Sequence, residues 1–303
     1  MFSIAFELQA NSLKLKKGPL PVTHHNPNIS YVQFTRKCHG RANQRKCCDQ
    51  QLATVADIIV CLGYRASIYL HTRSQFPRFD KDVWNVAHME ELGPAKRFRS
   101  TLGVGLLSPF MSSEDQQWDL EVSAVVDRVT EDISLDVPHP RTFHVHVFID
   151  SDSTSTLLAQ AQSVCQMYAL YEIESVRHNE NLQDLSTREL LSTIGRTSSV
   201  EELPVSQLIN PPIQDDNPIV PEEYLYKINL SCLRVKKLTF NQHPSVLRGD
   251  AVVNWGRFVS EFVHSALSPQ SVDILRFKPS LDVLFGHIIH SDSLKTIFDP
   301  RLA

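Results

Sequence analysis

Three times between Leu120 and Ile149 the apolar residues fall at every second position, a period that commits a chain to half-buried strands rather than to helices. Leu120, Val122, Ala124 and Val126 alternate with Glu121, Ser123 and Asp127, and then Ile133, Leu135 and Val137 alternate with Asp132, Ser134 and Asp136. After the Pro138-His139-Pro140 turn, Phe143, Val145, Val147 and Ile149 resume the pattern. Strands joined by such short connections predict an antiparallel meander. From Leu157 the spacing changes: Leu157, Leu158, Ala161, Val164, Cys165 and Tyr168 form a helical stripe, which predicts a helix packed across one face of the sheet. The expected fold class is α+β: an antiparallel, β-rich, sandwich-like central domain with packed helices and a helical C-terminal region.

The flanking segments give the boundaries. Residues 1–48 read as a basic N-terminal arm, with Pro, Asn, Gly and His interrupting regular structure and a short strand near Ile29 to Phe34. Residues 49–197 read as the β-rich core with flanking helices. Within it, Leu52, Val55, Ala56, Ile59 and Val60 predict a helix that Gly63 closes, and Tyr64 to Leu70 predicts a strand. A capping box, Ser186 to Glu189, opens a short helix that ends at Gly195. Residues 198–221, rich in Pro, Asp, Asn and Ser, read as a loop or linker. Residues 222–303 begin with a strand (Tyr224, Tyr226, Ile228, Leu230, Cys232). They continue as helices with stripes at Trp255, Phe258, Val259, Phe262, Val263 and Ala266 and at Leu281, Leu284, Phe285, Ile288 and Ile289.

Charge is divided unevenly along the chain. The first 48 residues hold eight bases against Glu7 alone, while the remaining 255 hold 22 bases and 33 acids. Such asymmetry is an argument about partners, nucleic acid or an anionic membrane surface first among them. Lys14, Lys16, Lys17, Arg36, Lys37, Arg41, Arg45 and Lys46 are the candidate contacts, with Tyr31, Phe34 and His39 as rings for stacking. Lys96, Arg97 and Arg99 extend the set, and Arg234, Lys236 and Lys237 form a later basic group. Met1 to Ala10 places Glu7 inside an apolar run with no preceding base, which matches neither a secretory signal nor an Arg-rich transit peptide. The ten glycines argue against a nucleotide enzyme built on glycine-rich phosphate loops.

Sites of chemistry are few. His144 and His146, two apart on a strand, would point to one face and could present two imidazoles to a metal, with His139 as a third; as residues on the polar face of a half-buried strand they would simply be solvated. Cys38-His39 and Cys47-Cys48 have the residue types of a zinc site, but adjacent ligands diverge, and reduced thiols account for them equally. Asp150 and Asp152 lie at a strand end, where a polar turn and helix cap explain them. Gly103-Val104-Gly105 lacks the third glycine of a dinucleotide fingerprint and the lysine of a phosphate loop. No catalytic residue, resident metal or cofactor is expected, and the chain reads as a non-enzymatic binding protein.

With the strands laid out, their order resembles the 30K-type superfamily of plant-virus movement proteins. Val145 to Ile149 followed by Asp150 would occupy the family's hydrophobic strand and aspartate, Leu157 to Tyr171 the helix-prone segment, and Tyr224 to Phe240 the later strand. The likeness covers about the middle half of the chain. It implies a structural role for Asp150, sequence-tolerant binding of single-stranded nucleic acid, self-association, and an address in the host cytoplasm and at cell-to-cell channels (plasmodesmata); the basic segment, for its part, is compatible with peripheral membrane contact. A viral matrix or capsid-like assembly protein, a cellular adaptor, and a metal-dependent enzyme using His144 and His146 are the competing readings.

Overall fold

The computed structural model describes residues 1–15, 28–33, 42–72, 80–89, 102–115, 117–136, 143–175, 228–230, 232–241, 247–278 and 280–298. The fold is α+β, as expected, with long helices and a mixed sheet. The chain forms two compact units. One comprises residues 4–145 and 243–253; the other comprises 1–3, 146–242 and 254–303. These boundaries differ from a division into arm, core and tail, and the linker at 198–221 and the capping-box helix lie outside the described residues.

In the unit of residues 4–145, strand β1 (Phe2–Leu15) is the central element. Asn11 and Ser12 pair with Gly103 and Leu102 of β5 (Leu102–Leu107) on one side and with Asp136 and Leu135 of β7 (Ile133–Asp136) on the other. Ile4, Ala5, Phe6, Leu8 and Ala10 are buried, and so are Glu7 and Gln9, whose side chains bond to each other at 2.6 Å. Burial on both faces is the mark of an interior strand, so residues 2–15 are not an arm. The short strand expected near Ile29 is β2 (Ile29–Gln33). The expected helix is α1 (Ala42–Cys61), which starts ten residues before Leu52, the first residue of its apolar stripe, and Gly63 adopts φ 93° just beyond its end.

Here β2, β3 (Ala66–Thr72) and β4 (Trp84–Met89) run parallel. The physical reason is α1: a helix between two strands returns the chain to its starting edge, so β3 must run alongside β2 in the same direction. β4 then meets β5 antiparallel, and the unit's order is β2-β3-β4-β5-β1. A mixed sheet with a crossover helix replaces the expected antiparallel sandwich. β6 (Met111–Ser112) is a two-residue addition to β1.

The first alternating stretch is a helix, α2 (Trp118–Asp132). Trp118, Val122, Val125, Val126 and Val129 are buried, a helical set, and Leu120 is 72% exposed. Strand pairing begins only at Ile133. Trp118 packs on Phe6 with ring centroids 5.1 Å apart, and the Trp84 indole donates to Glu121 Oε1 at 2.7 Å, which ties α2 to both β1 and β4. Burial raises the Glu121 carboxyl above its ordinary pKa, the indole bond opposes that, and Asp115 adds to it. Where α1 and α2 meet the sheet, Leu8, Ala10, Val55, Val104, Val126 and Val129 are among the residues around an apolar void of about 30 Å³.

In the other unit, the last residues of β8 (Phe143–Ile149) neighbour β10 (Lys237–Phe240), which pairs antiparallel with β9 (Ile228–Asn229). Helix α3 (Thr154–Ser175) brings Tyr168 edge-on to Phe240 and to Phe262 of α4 (Gly249–Leu267), at 6.3 and 6.2 Å. Short helices α5 (Ser271–Ile274), α6 (Leu281–Val283) and α7 (Asp292–Phe298) follow, with a π-helical turn over Leu284–Ile288. Trp255 stacks on Phe258 at 5.1 Å, and Phe298 lies edge-on to both rings, so the aromatic residues of this stripe pack on one another.

Candidate polyanion-binding edge

The registers fix which strand ends share an edge. Gln33 lies beside Leu70, and Thr72 beside Met89. Across the antiparallel pairs, His88 faces Val104 and Ser12 faces Leu102. The C-terminal ends of β1, β2, β3 and β4 and the start of β5 therefore lie along one edge of the unit. Helix α1 must run against β2 and β3, because its last turn is linked by only four residues to Ala66, whose N–H donates to Asn28 O at 3.1 Å. Its first turns, with Arg45 and Lys46, consequently come to that edge, as does its positive dipole end. Lys14 sits on β1 in register with Ser134 at the same end.

The four segments leaving or reaching this edge are basic in sequence. Residues 16–27 carry Lys16 and Lys17, 34–41 carry Arg36, Lys37 and Arg41, and 90–101 carry Lys96, Arg97 and Arg99. Residues 73–79 add Arg73 and Arg78, which the charge count over the first 48 residues could not find; the signal was their position directly after a strand. Phe34, Phe76, Phe79 and Phe98 are interleaved among these bases, whereas Glu90 and Glu91 are the acids. These segments, and with them Lys16, Lys17, Arg36, Lys37, Arg41, Lys96, Arg97 and Arg99, lie outside the described residues. The end of α2 contributes acids at this edge: Asp132 is held by Arg128 Nε at 2.8 Å, and Glu131 lies 4.0 Å from the same guanidinium.

The remaining candidates have other fates. His144 and His146 are both buried, against their expected place on a solvated face, because β8 is covered on both faces. His146 Nδ1 lies 2.9 Å from Thr239 Oγ1 on β10. Among the described residues no group of three or more His, Cys, Asp or Glu is placed to hold a metal ion. Cys47 and Cys48 fall in α1, and Cys38 and His39 lie outside the described residues. Asp150 is exposed at the end of β8, its N–H donating to Met1 O at 3.1 Å, and Asp152 is exposed in the turn before α3. Gly103 and Gly105 are ordinary residues of β5. Arg234 and Lys236 are exposed in the β9–β10 connection of the other unit, where Lys236 Nζ donates to Ser151 O at 2.7 Å. Cys165, buried in α3, has its thiol pushed up to about 12 by burial, so it is no nucleophile.

No protein-family model matches this chain, and no curated protein matches it. No helix among the described residues is long and apolar enough to cross a membrane.

Proposed function

We propose that this chain is a non-enzymatic protein that binds single-stranded nucleic acid through the strand-end edge of the unit of residues 4–145. The observation that supports this most is topological: four strand C-termini, the start of a fifth strand and the basic first turns of α1 share one edge, and the segments attached there carry bases interleaved with phenylalanines. Cations neutralise phosphates and release counterions, while aromatic rings accept bases regardless of sequence. The ends of parallel strands are also where open α/β sheets commonly take ligands. The narrower proposal, a viral movement protein that self-associates and works at cell junctions, rests on the order β8, Asp150, α3, β10. No catalytic step or cofactor is part of this reading.

The test is a salt titration of oligo(U) binding by fluorescence anisotropy. Deleting residues 1–48 would remove a central strand, so the edge is probed by the combined substitution Lys14→Gln, Arg45→Gln, Lys46→Gln. Wild type should bind with log affinity falling linearly against log salt, and the triple variant should lose about one unit of slope for each phosphate contact removed. Equal affinity and slope in the variant would reject the edge. Binding to anionic liposomes with no binding to oligo(U) would reject nucleic acid as the partner.

A further inference from the structure

The connection after α5 and the π-helical turn after α6 build a small aromatic platform on the surface of the unit that holds residues 254–303. Phe277 closes a turn by donating its N–H to Ile274 O at 3.1 Å, and Ile274 is buried. Twelve residues on, the N–H of Ile289 bonds Leu284 O at 2.8 Å, the widened closure that marks a π turn, a feature often found at functional sites. Leu284, Phe285 and Ile288 anchor this turn in the core, and Ser265 Oγ donates to Ile288 O at 2.8 Å. With those positions fixed inward, Gly286 and His287 face outward. The imidazole of His287 lies parallel to the Phe277 ring, centroids 4.9 Å apart and planes 22° apart.

Three further features give this pair a ligand chemistry. Phe277 remains 43% exposed, and it is the one aromatic among the large apolar side chains exposed in the described residues. Arg276 and Lys278, exposed on either side of it, supply cations; Asp273 takes a hydrogen bond from Arg276 at 3.3 Å, and Asp282 is the other exposed acid nearby in sequence. A Cβ added at Gly286 would meet nothing within 4 Å, so the surface at this neighbour of His287 is open. A ring already stacked on one side, flanked by cations and set on a rigid turn, suits an unpaired base with its phosphates. A protein partner would instead require a broad apolar patch, not a lone ring.

We infer that Phe277 and His287 form a stacking site for one nucleobase of a bound single strand, with Arg276 and Lys278 contacting the adjoining phosphates. The site rests on the nucleic-acid reading above and adds to it a further contact with bases, in the other unit from the residues on which that reading depends.

Oligo(U) and an abasic oligomer of equal length, which keeps the phosphates and lacks the bases, separate the two. Wild type should prefer oligo(U), and Phe277→Ala should reduce that preference, lowering oligo(U) affinity about ten-fold with the salt slope and the affinity for the abasic oligomer unchanged. Phe277→Trp should restore it, and Arg276→Gln with Lys278→Gln should lower the slope instead. Thermal melts confirm that each variant folds. If Phe277→Ala binds oligo(U) as tightly as wild type, the stacking site is rejected while the edge stands. If wild type binds neither oligomer, both fall.

Discussion

The carboxylate of Asp127 on α2 accepts the backbone N–H of Gly249, the first residue of α4, at 2.7 Å. A helix start leaves several donors without intrahelical partners; here a neighbouring helix supplies one acceptor, and Asp250 Oδ1 takes the Ala251 N–H at 2.8 Å. The approach is close enough that a Cβ on Gly249 would meet the Ser123 carbonyl oxygen at 2.6 Å. Glycine is therefore required by contact with backbone, which cannot swing aside as a side chain would. Gly249→Ala should cost about 1–3 kcal/mol in urea unfolding. Asp127→Ala should cost about 1–3 kcal/mol through the orphaned N–H.

Phe6 distinguishes an interior strand from a loose arm. Its side chain is fully buried and packs on Trp118. Phe6→Ala should destabilise the protein by about 3–5 kcal/mol, whereas truncating an aromatic on a solvated arm would leave the melting curve in place.

Asp57 lies buried in α1, its Oδ2 has no hydrogen-bond partner among the described residues, and burial raises its carboxyl above the ordinary value of 3.8. The sign follows from proton counting. Between that ordinary value and the raised one the folded state holds more protons than the unfolded state, so stability falls as pH climbs through this window. Asp57→Asn cannot ionise. It should be more stable than wild type at neutral pH and lose that advantage below about pH 4, as read from urea midpoints across a pH series.

The apolar void of about 30 Å³ beside Val129 has room for about one methylene. Val129→Ile should fill it and raise stability by about 0.8 kcal/mol, the usual value for a buried methylene. A loss instead would mean that the void cannot accept the new rotamer.

Local patterning made part of this molecule readable. The stripe from Leu52 to Val60 with its closing Gly63, the alternation of β8, and the helical spacing from Leu157 all correspond to elements found in place. Residues 118–132 misled because four apolar residues at alternate positions occupy only seven residues, short enough to fit a helix as well. Val125 and Val129 were the deciding residues: with Val122 and Val126 they complete a helical face, and Asp119 and Glu121 suit a helix first turn. β1 was missed for the opposite reason. An interior strand buried on both faces need not alternate, and Glu7 with Gln9 interrupts its apolar run.

The candidate edge was legible as charge but not as a place. Lys14, Arg45 and Lys46 are separated in sequence and become neighbours of one sheet edge only through the strand directions, which the parallel crossover by α1 sets. His144 and His146 show the converse. Two residues apart on a strand do share a face, but no local pattern says whether that face meets water, and burial removes the surface that a solvated reading needs.

The unit of residues 4–145 is completed by residues 243–253, made long after the rest of it. A ribosome releases β1 well before β5 and β7 exist to pair with it, and the segment bearing Gly249 comes later still. During synthesis, an apolar strand with bare edges therefore waits for distant partners, a situation that slows folding and invites aggregation. Chaperone demand in the cell, more than the stability of the finished molecule, should govern how much of this protein accumulates.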